Sequence, residues 1–211
     1  MNKERPILFS GEMVRAILEG RKTQTRRIIK NKDFLQWVEV GFADSFIKDS
    51  DNLWQNECPY GQPGDRLWVR ETFEYRSYEE GYDNGIQQGG DHDWEEGYSL
   101  VGYKADNSIL PYELQEEDYL GKCPKIGRWY PSIHMPRWAS RILLEITDIR
   151  VERLQDITEE DAKAEGIYKD PNVIYPYSYV EMFSHLWEAI NGAESWNKNP
   201  WVWVIEFRRI P

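Results

Sequence analysis

The clearest alternation of apolar and polar positions lies at the C-terminal end, where "PWVWVIEFRRI" places Trp201, Trp203, Ile205 and Phe207 on one face of an expected strand. Upstream, "SGEMVRAILEG" has helical spacing at Met13, Ala16 and Ile17, with Ser10 as a cap and Gly20 as a left-handed stop. "KTQTRRII" then reads as a loop passing into an extended segment. In "GQPGDRLWVRETFEY" a Pro63–Gly64 turn precedes a strand, and "SRILLEITDIRVERL" predicts a long central strand bent near Asp148. Thr158, followed three residues later by Asp161, marks a capped short helix that Gly166 ends. Residues 178–190 predict an amphipathic helix with Val180, Phe183, Leu186, Trp187 and Ile190 on one side.

Two stretches break this rhythm. Residues 31–58 mix aromatics with acids and lack a sustained period; residues 78–125 are rich in Gly, Asp, Glu and Tyr, with only "SLVGYKAD" reading as a strand. Both are taken as insertions in one domain spanning residues 1–211. The expected class is α+β: several strands forming a small barrel, with short flanking helices.

The 211 residues, 40% hydrophobic and 14% aromatic, describe a globular chain with enough length for a sizeable core. A net charge of -11 argues against a broad phosphate-neutralising face, leaving a small ligand or a short RNA segment as the partner. Cys58 and Cys123 are too far apart in sequence to form a close metal-ligand pair, and the three histidines are scattered. No metal, cofactor or membrane segment is expected. The cysteines read as reduced thiols of a cytoplasmic protein, and the sequence sets no oligomeric state.

Against that acidic background, "EGRKTQTRRIIK" is a dense basic patch behind a helix-ending glycine. Taken alone it is either a solvated basic strand or the rim of a binding site. It lacks the upstream glycine of a phosphate-binding loop and follows a helix, which rejects a nucleoside triphosphatase.

The order "GRKTQTRR", "GDRLWVRETF", "LLEITDIRVERLQDITEEDAKAEGI", "WVWVIEF" resembles the ASCH family, a branch of the PUA-like β-barrel superfold. With "PSIHMPRWASRI" it is closer to the longer phage and prophage ASCH-type proteins. The resemblance implies a metal-independent amidohydrolase that removes the acyl group of an N4-acetylcytidine-like nucleoside or base. It places the catalytic residues at Lys22, Thr25 and Glu165. A PUA-like module binding RNA or a modified base, or an ASCH-type ribonuclease, are the alternatives.

Under that reading Arg21, Arg26 and Arg27 contact substrate or tune the lysine, since nearby cations favour its neutral amine. In a regular strand, residues three apart point to opposite faces, so the chain must turn at Arg21 or Lys22 for Lys22 and Thr25 to meet one substrate. Arg70 and Glu71 stand as site walls or as a salt bridge. His134 is a substrate contact, a base or a packed polar side chain, with Arg137 and Trp138 beside it for phosphate contact and base stacking. Trp196, in a loop, is placed to cover a base.

Overall fold

Alternation in sequence becomes pairing in space around the C-terminal strand. The computed structural model describes residues 3–39, 53–76, 98–113 and 127–211. The strands are β1 (Glu4–Leu8), β2 (Gln24–Ile28), β3 (Arg66–Arg70), β4 (Phe73–Arg76), β5 (Tyr98–Tyr103), β6 (Ile109–Glu113), β7 (Trp129–Tyr130), β8 (Leu143–Arg153) and β9 (Trp201–Ile210). The helices are α1 (Gly11–Leu18), α2 (Lys32–Trp37), α3 (Glu159–Ala164) and α4 (Tyr179–Asn191). The class is α+β, as expected. Among the described residues the strands form two open sheets, of order β1-β3-β8-β9-β2 and β6-β5-β4-β7, in place of the expected closed barrel.

The chain divides into two compact units. The first contains residues 1–5, 16–67 and 142–211, and the second residues 6–15 and 68–141. No helix among the described residues is long and apolar enough to cross a membrane.

In the first unit, β9 pairs antiparallel with both β2 and β8. That central place explains a departure from the expected one-sided alternation: Val202 through Ile205 are all buried. Val202 and Val204 join Leu154, Ile157, Ala162, Phe183 and Trp187 in one core, where the inner faces of α3 and α4 meet the sheet. On the opposite face, Trp203 stacks on Phe34 of α2 at 4.9 Å between ring centres. Ile190 is 55% exposed, one turn beyond the part of α4 that packs.

The bend expected near Asp148 is a register shift between Ile146 and Asp148 on β8. The Pro63–Gly64 turn docks beside it, with Gly64 N donating to Ile146 O at 2.8 Å and Ile146 N to Asp65 O at 2.9 Å. The expected capping box at Thr158 and Asp161 is formed, and Ser178 with Glu181 forms a second one at α4.

In the second unit, β4 lies between β5 and β7, and the β5–β6 hairpin comes from the stretch read as the longer insertion. Phe73, Val101, Tyr103, Met135 and Ala139 form its core. Residues 40–52, 77–97 and 114–126, which include Cys123, part of the first expected insertion and most of the second, lie outside the described residues.

Candidate active site

Lys22 reaches its position through its backbone. After the α1 stop, where Gly20 has φ +75, the amides of Arg21 and Lys22 both donate to Ala16 O, at 2.8 and 3.0 Å. Thr23 N donates to Ala164 O at 2.8 Å, and Phe207 N to Thr23 O at 2.8 Å. These bonds tie the segment to the end of α3 and to β9 before β2 begins, and Lys22 and Glu165 face each other in an isolated antiparallel bridge.

Glu165 is the C-cap of α3, and the next residue, Gly166, has φ +95. A Cβ there would lie 3.0 Å from Ala16 Cβ and 3.1 Å from Lys22 Cβ. Only glycine accepts both the left-handed backbone and this close approach.

The result is a buried ion pair. Lys22 Nζ donates to Glu165 Oε2 at 2.7 Å, to Glu165 O at 2.8 Å and to Gln24 O at 2.8 Å, with both side chains nearly free of solvent. Three oxygen acceptors suit an ammonium with three N–H groups. Burial nevertheless pushes the Lys22 pKa below its ordinary value. Glu165 opposes this by charge and hydrogen bonding, while Arg27 and then Arg26 add smaller effects in the direction of burial. The lowering expected from crowded arginines is therefore present, with desolvation as its first cause.

The free side of Glu165 is not left to water. Oε1 accepts from Arg26 Nη1 at 3.1 Å, and Arg26 Nη2 contacts Glu152 Oε1 at 2.5 Å and Asp161 Oδ2 at 3.4 Å. Arg150 in turn bridges Glu152, Asp161 and Glu206, and Gln24 Nε2 donates to Asp161 Oδ1 at 3.0 Å. Gln24 and Arg26 share one face of β2 by the strand alternation, and both reach α3.

Thr25, the third expected catalytic residue, is buried and pairs with Ile205 of β9, on the face of β2 opposite Gln24 and Arg26. The structure thus joins Lys22 to Glu165 directly.

The remaining expected site residues fall in several settings. Arg21 is half-exposed, donates to Gly166 O at 2.8 Å and lies over the Tyr168 ring at 5.2 Å. Arg27 is partly buried. Trp196, partly buried, packs against the first unit's core, edge-on to Phe183.

Within the second unit, Glu71 forms a buried salt bridge with Arg141, in which Nε and Nη2 each lie 2.9 Å from a carboxylate oxygen. Arg70 donates to Met135 O at 3.0 Å and lies over Trp68. His134 and Arg137 are exposed on short 3-10 turns, and Trp138 packs on the core. Among the described residues no group of three His, Cys, Asp or Glu could hold a metal ion.

Glu152, Asp161 and Arg150 were not singled out from sequence as site residues. The available signal was the two-residue step between Arg150 and Glu152 on one strand, which puts opposite charges on one face. Set against protein-family models, curated proteins and solved structures, the chain matches none.

Proposed function

We propose that the chain is an amidohydrolase that releases the acyl group from an N4-acylated cytidine-like nucleoside or base, with a fold of the ASCH branch of the PUA-like superfold. The observation that carries the reading is the 2.7 Å contact between buried Lys22 and Glu165, two residues on which the resemblance independently places the chemistry. The chain order also supports it: a helix ending at Gly20, the basic loop, a long strand, a capped short helix ending in Glu165 and a closing strand.

Passing one proton from Nζ to Oε2 leaves a neutral amine beside a carboxylic acid, and so yields a base and an acid in one step without changing the charge of the buried pair. The amine accepts the proton of the Thr25 hydroxyl as its oxygen attacks the acyl carbonyl. The acid gives its proton to the departing N4 nitrogen, freeing cytidine and leaving an acyl ester on Thr25. Water, deprotonated by the same couple, cleaves that ester to acetate and restores Thr25.

The burial of Thr25, which leaves its hydroxyl little exposed, favours a second reading, a PUA-like module that binds a modified base without chemistry. Turnover of N4-acetylcytidine, N4-acetylcytosine and short acetylated RNA by wild type, Lys22→Ala and Thr25→Val separates the two. The hydrolase requires turnover that both substitutions abolish. Binding without turnover in the wild type gives the module instead, and full turnover in both variants removes the proposed roles.

A further inference from the structure

Among the basic residues of the loop and β2, Arg26 has the surroundings least like those of a substrate contact. Its side chain is fully buried, its guanidinium lies 5.9 Å from the Phe183 ring centre, and its terminal nitrogens face three carboxylates. Glu165 comes from the end of α3, Asp161 from the middle of α3 and Glu152 from β8. Asp161 and Glu152 are themselves held by Arg150, at 2.7 and 3.2 Å. A planar guanidinium with donors at fixed angles can hold carboxylates on several sides at once, which a lysine ammonium on a flexible stem cannot.

We propose that Arg26 is a positioning residue for the Lys22–Glu165 pair: it fixes Glu165 Oε1 so that Oε2 is presented to Lys22, and Glu152 and Asp161 fix Arg26. This rests on the reading of Lys22 and Glu165 as the proton couple. The geometry supporting it is the division of one carboxylate between two cations, Oε1 to Arg26 and Oε2 to Lys22. The Glu165 carboxylate is held at both oxygens, by Lys22 and by Arg26. The charged groups around the pair are Arg26 and Arg27 from β2, Asp161 from α3, Arg150 and Glu152 from β8 and Glu206 from β9. Loss of Arg26 removes a cation that disfavours the Lys22 ammonium and frees Glu165 to turn wholly to Lys22, so both effects stabilise the charged lysine.

The test reads the pair without substrate. Side-chain NMR follows the Lys22 Nζ–Cε and Glu165 carboxyl signals against pH in wild type, Arg26→Met and Arg26→Lys, with Lys22→Met supplying the assignment. The expected result is a Lys22 midpoint moved to higher pH in Arg26→Met. Arg26→Lys returns that midpoint toward wild type while the Glu165 signal stays displaced, because charge is restored without the fork. An unchanged midpoint and an unchanged Glu165 signal in folded Arg26→Met overturn the proposal.

Should Arg26→Met fail to fold, Glu152→Gln loosens the same guanidinium with a milder change. It must displace the Glu165 signal, and no displacement overturns the proposal equally. If the wild type hydrolyses N4-acetylcytidine, Arg26→Met lowers kcat on the order of 100-fold with KM little changed. Absence of turnover in the wild type counts against the proposed reaction alone, and the titrations still decide the role of Arg26.

Discussion

Lys22 Nζ and Glu165 Oε2 lie 2.7 Å apart across a sequence separation of 143 residues, with side-chain exposures of 0% and 4%. Backbone bonds involving Ala16, Ala164 and Phe207 hold the two segments side by side. Desolvating two charges costs several kcal/mol per ion, roughly what their attraction returns. The pair is therefore a small net source of stability as long as both partners are present.

Breaking it from one side should be costly, and replacing it whole should not. Lys22→Met leaves Glu165 with Arg26 alone and is expected to destabilise by about 3–5 kcal/mol, whereas Lys22→Met combined with Glu165→Leu should cost clearly less than the two single changes added. Urea unfolding of the four proteins measures the coupling. Strict additivity would mean that the pair does not interact.

The depressed Lys22 pKa gives stability a definite slope in alkali. Burial holds the folded value below 10.5, so between the folded value and 10.5 the unfolded chain binds the additional proton and stability rises with pH. The stability of wild type relative to Lys22→Met should accordingly improve as the pH rises toward 10.5, because the folded lysine gives up its proton before the unfolded one does. A difference that stays flat or shrinks as the pH approaches 10.5 contradicts a lowered Lys22.

Gly166 makes the close approach possible, and its substitution should show it. In Gly166→Ala the new methyl would meet Ala16 and Lys22 at contacts near 3 Å while the backbone stays at φ +95. A loss of about 2 kcal/mol or more is expected from strain and overpacking together. Gly64→Ala, at φ +91 with no atom within 4 Å of the added carbon, isolates the backbone part and should cost less. Denaturant midpoints of the two variants give the comparison.

The local signals that were legible in the chain are those with a one-dimensional pattern. The cap at Thr158, the glycine stops at Gly20 and Gly166, the turn at Gly64 and the bend in β8 each follow from residues within a few positions, and all are present. The full burial of β9 was not legible. Trp203 and Val204 point to opposite faces, and only the packing of α2 on one side and α3 and α4 on the other decides that both are covered. The role of Arg26 was hidden for the same reason, since its partners come from three separate places in the chain. Thr25 remained in the strand register that its spacing from Lys22 implied, opposite the face that carries Arg26.

In the second unit, Arg141 joins Glu71 to Asp106 and lies 4.1 Å from the Tyr103 ring centre. The Asp106 pKa is lowered to about 2 from 3.8: burial works against the shift, and hydrogen bonds from Arg141 and Ser108 outweigh it. A carboxylate with a depressed folded value contributes stability that is fully present above its unfolded value of 3.8 and is lost as pH falls through about 2. Asp106→Asn should thus be less stable than wild type at neutral pH by about 1 kcal/mol, a figure discounted for the partial exposure of the pair. The two proteins should converge as pH falls from about 4 to about 2, the span between the two values. Urea melts at stepped acid pH provide the measurement, and a gap that is constant through that span would exclude Arg141 as the source of the shift.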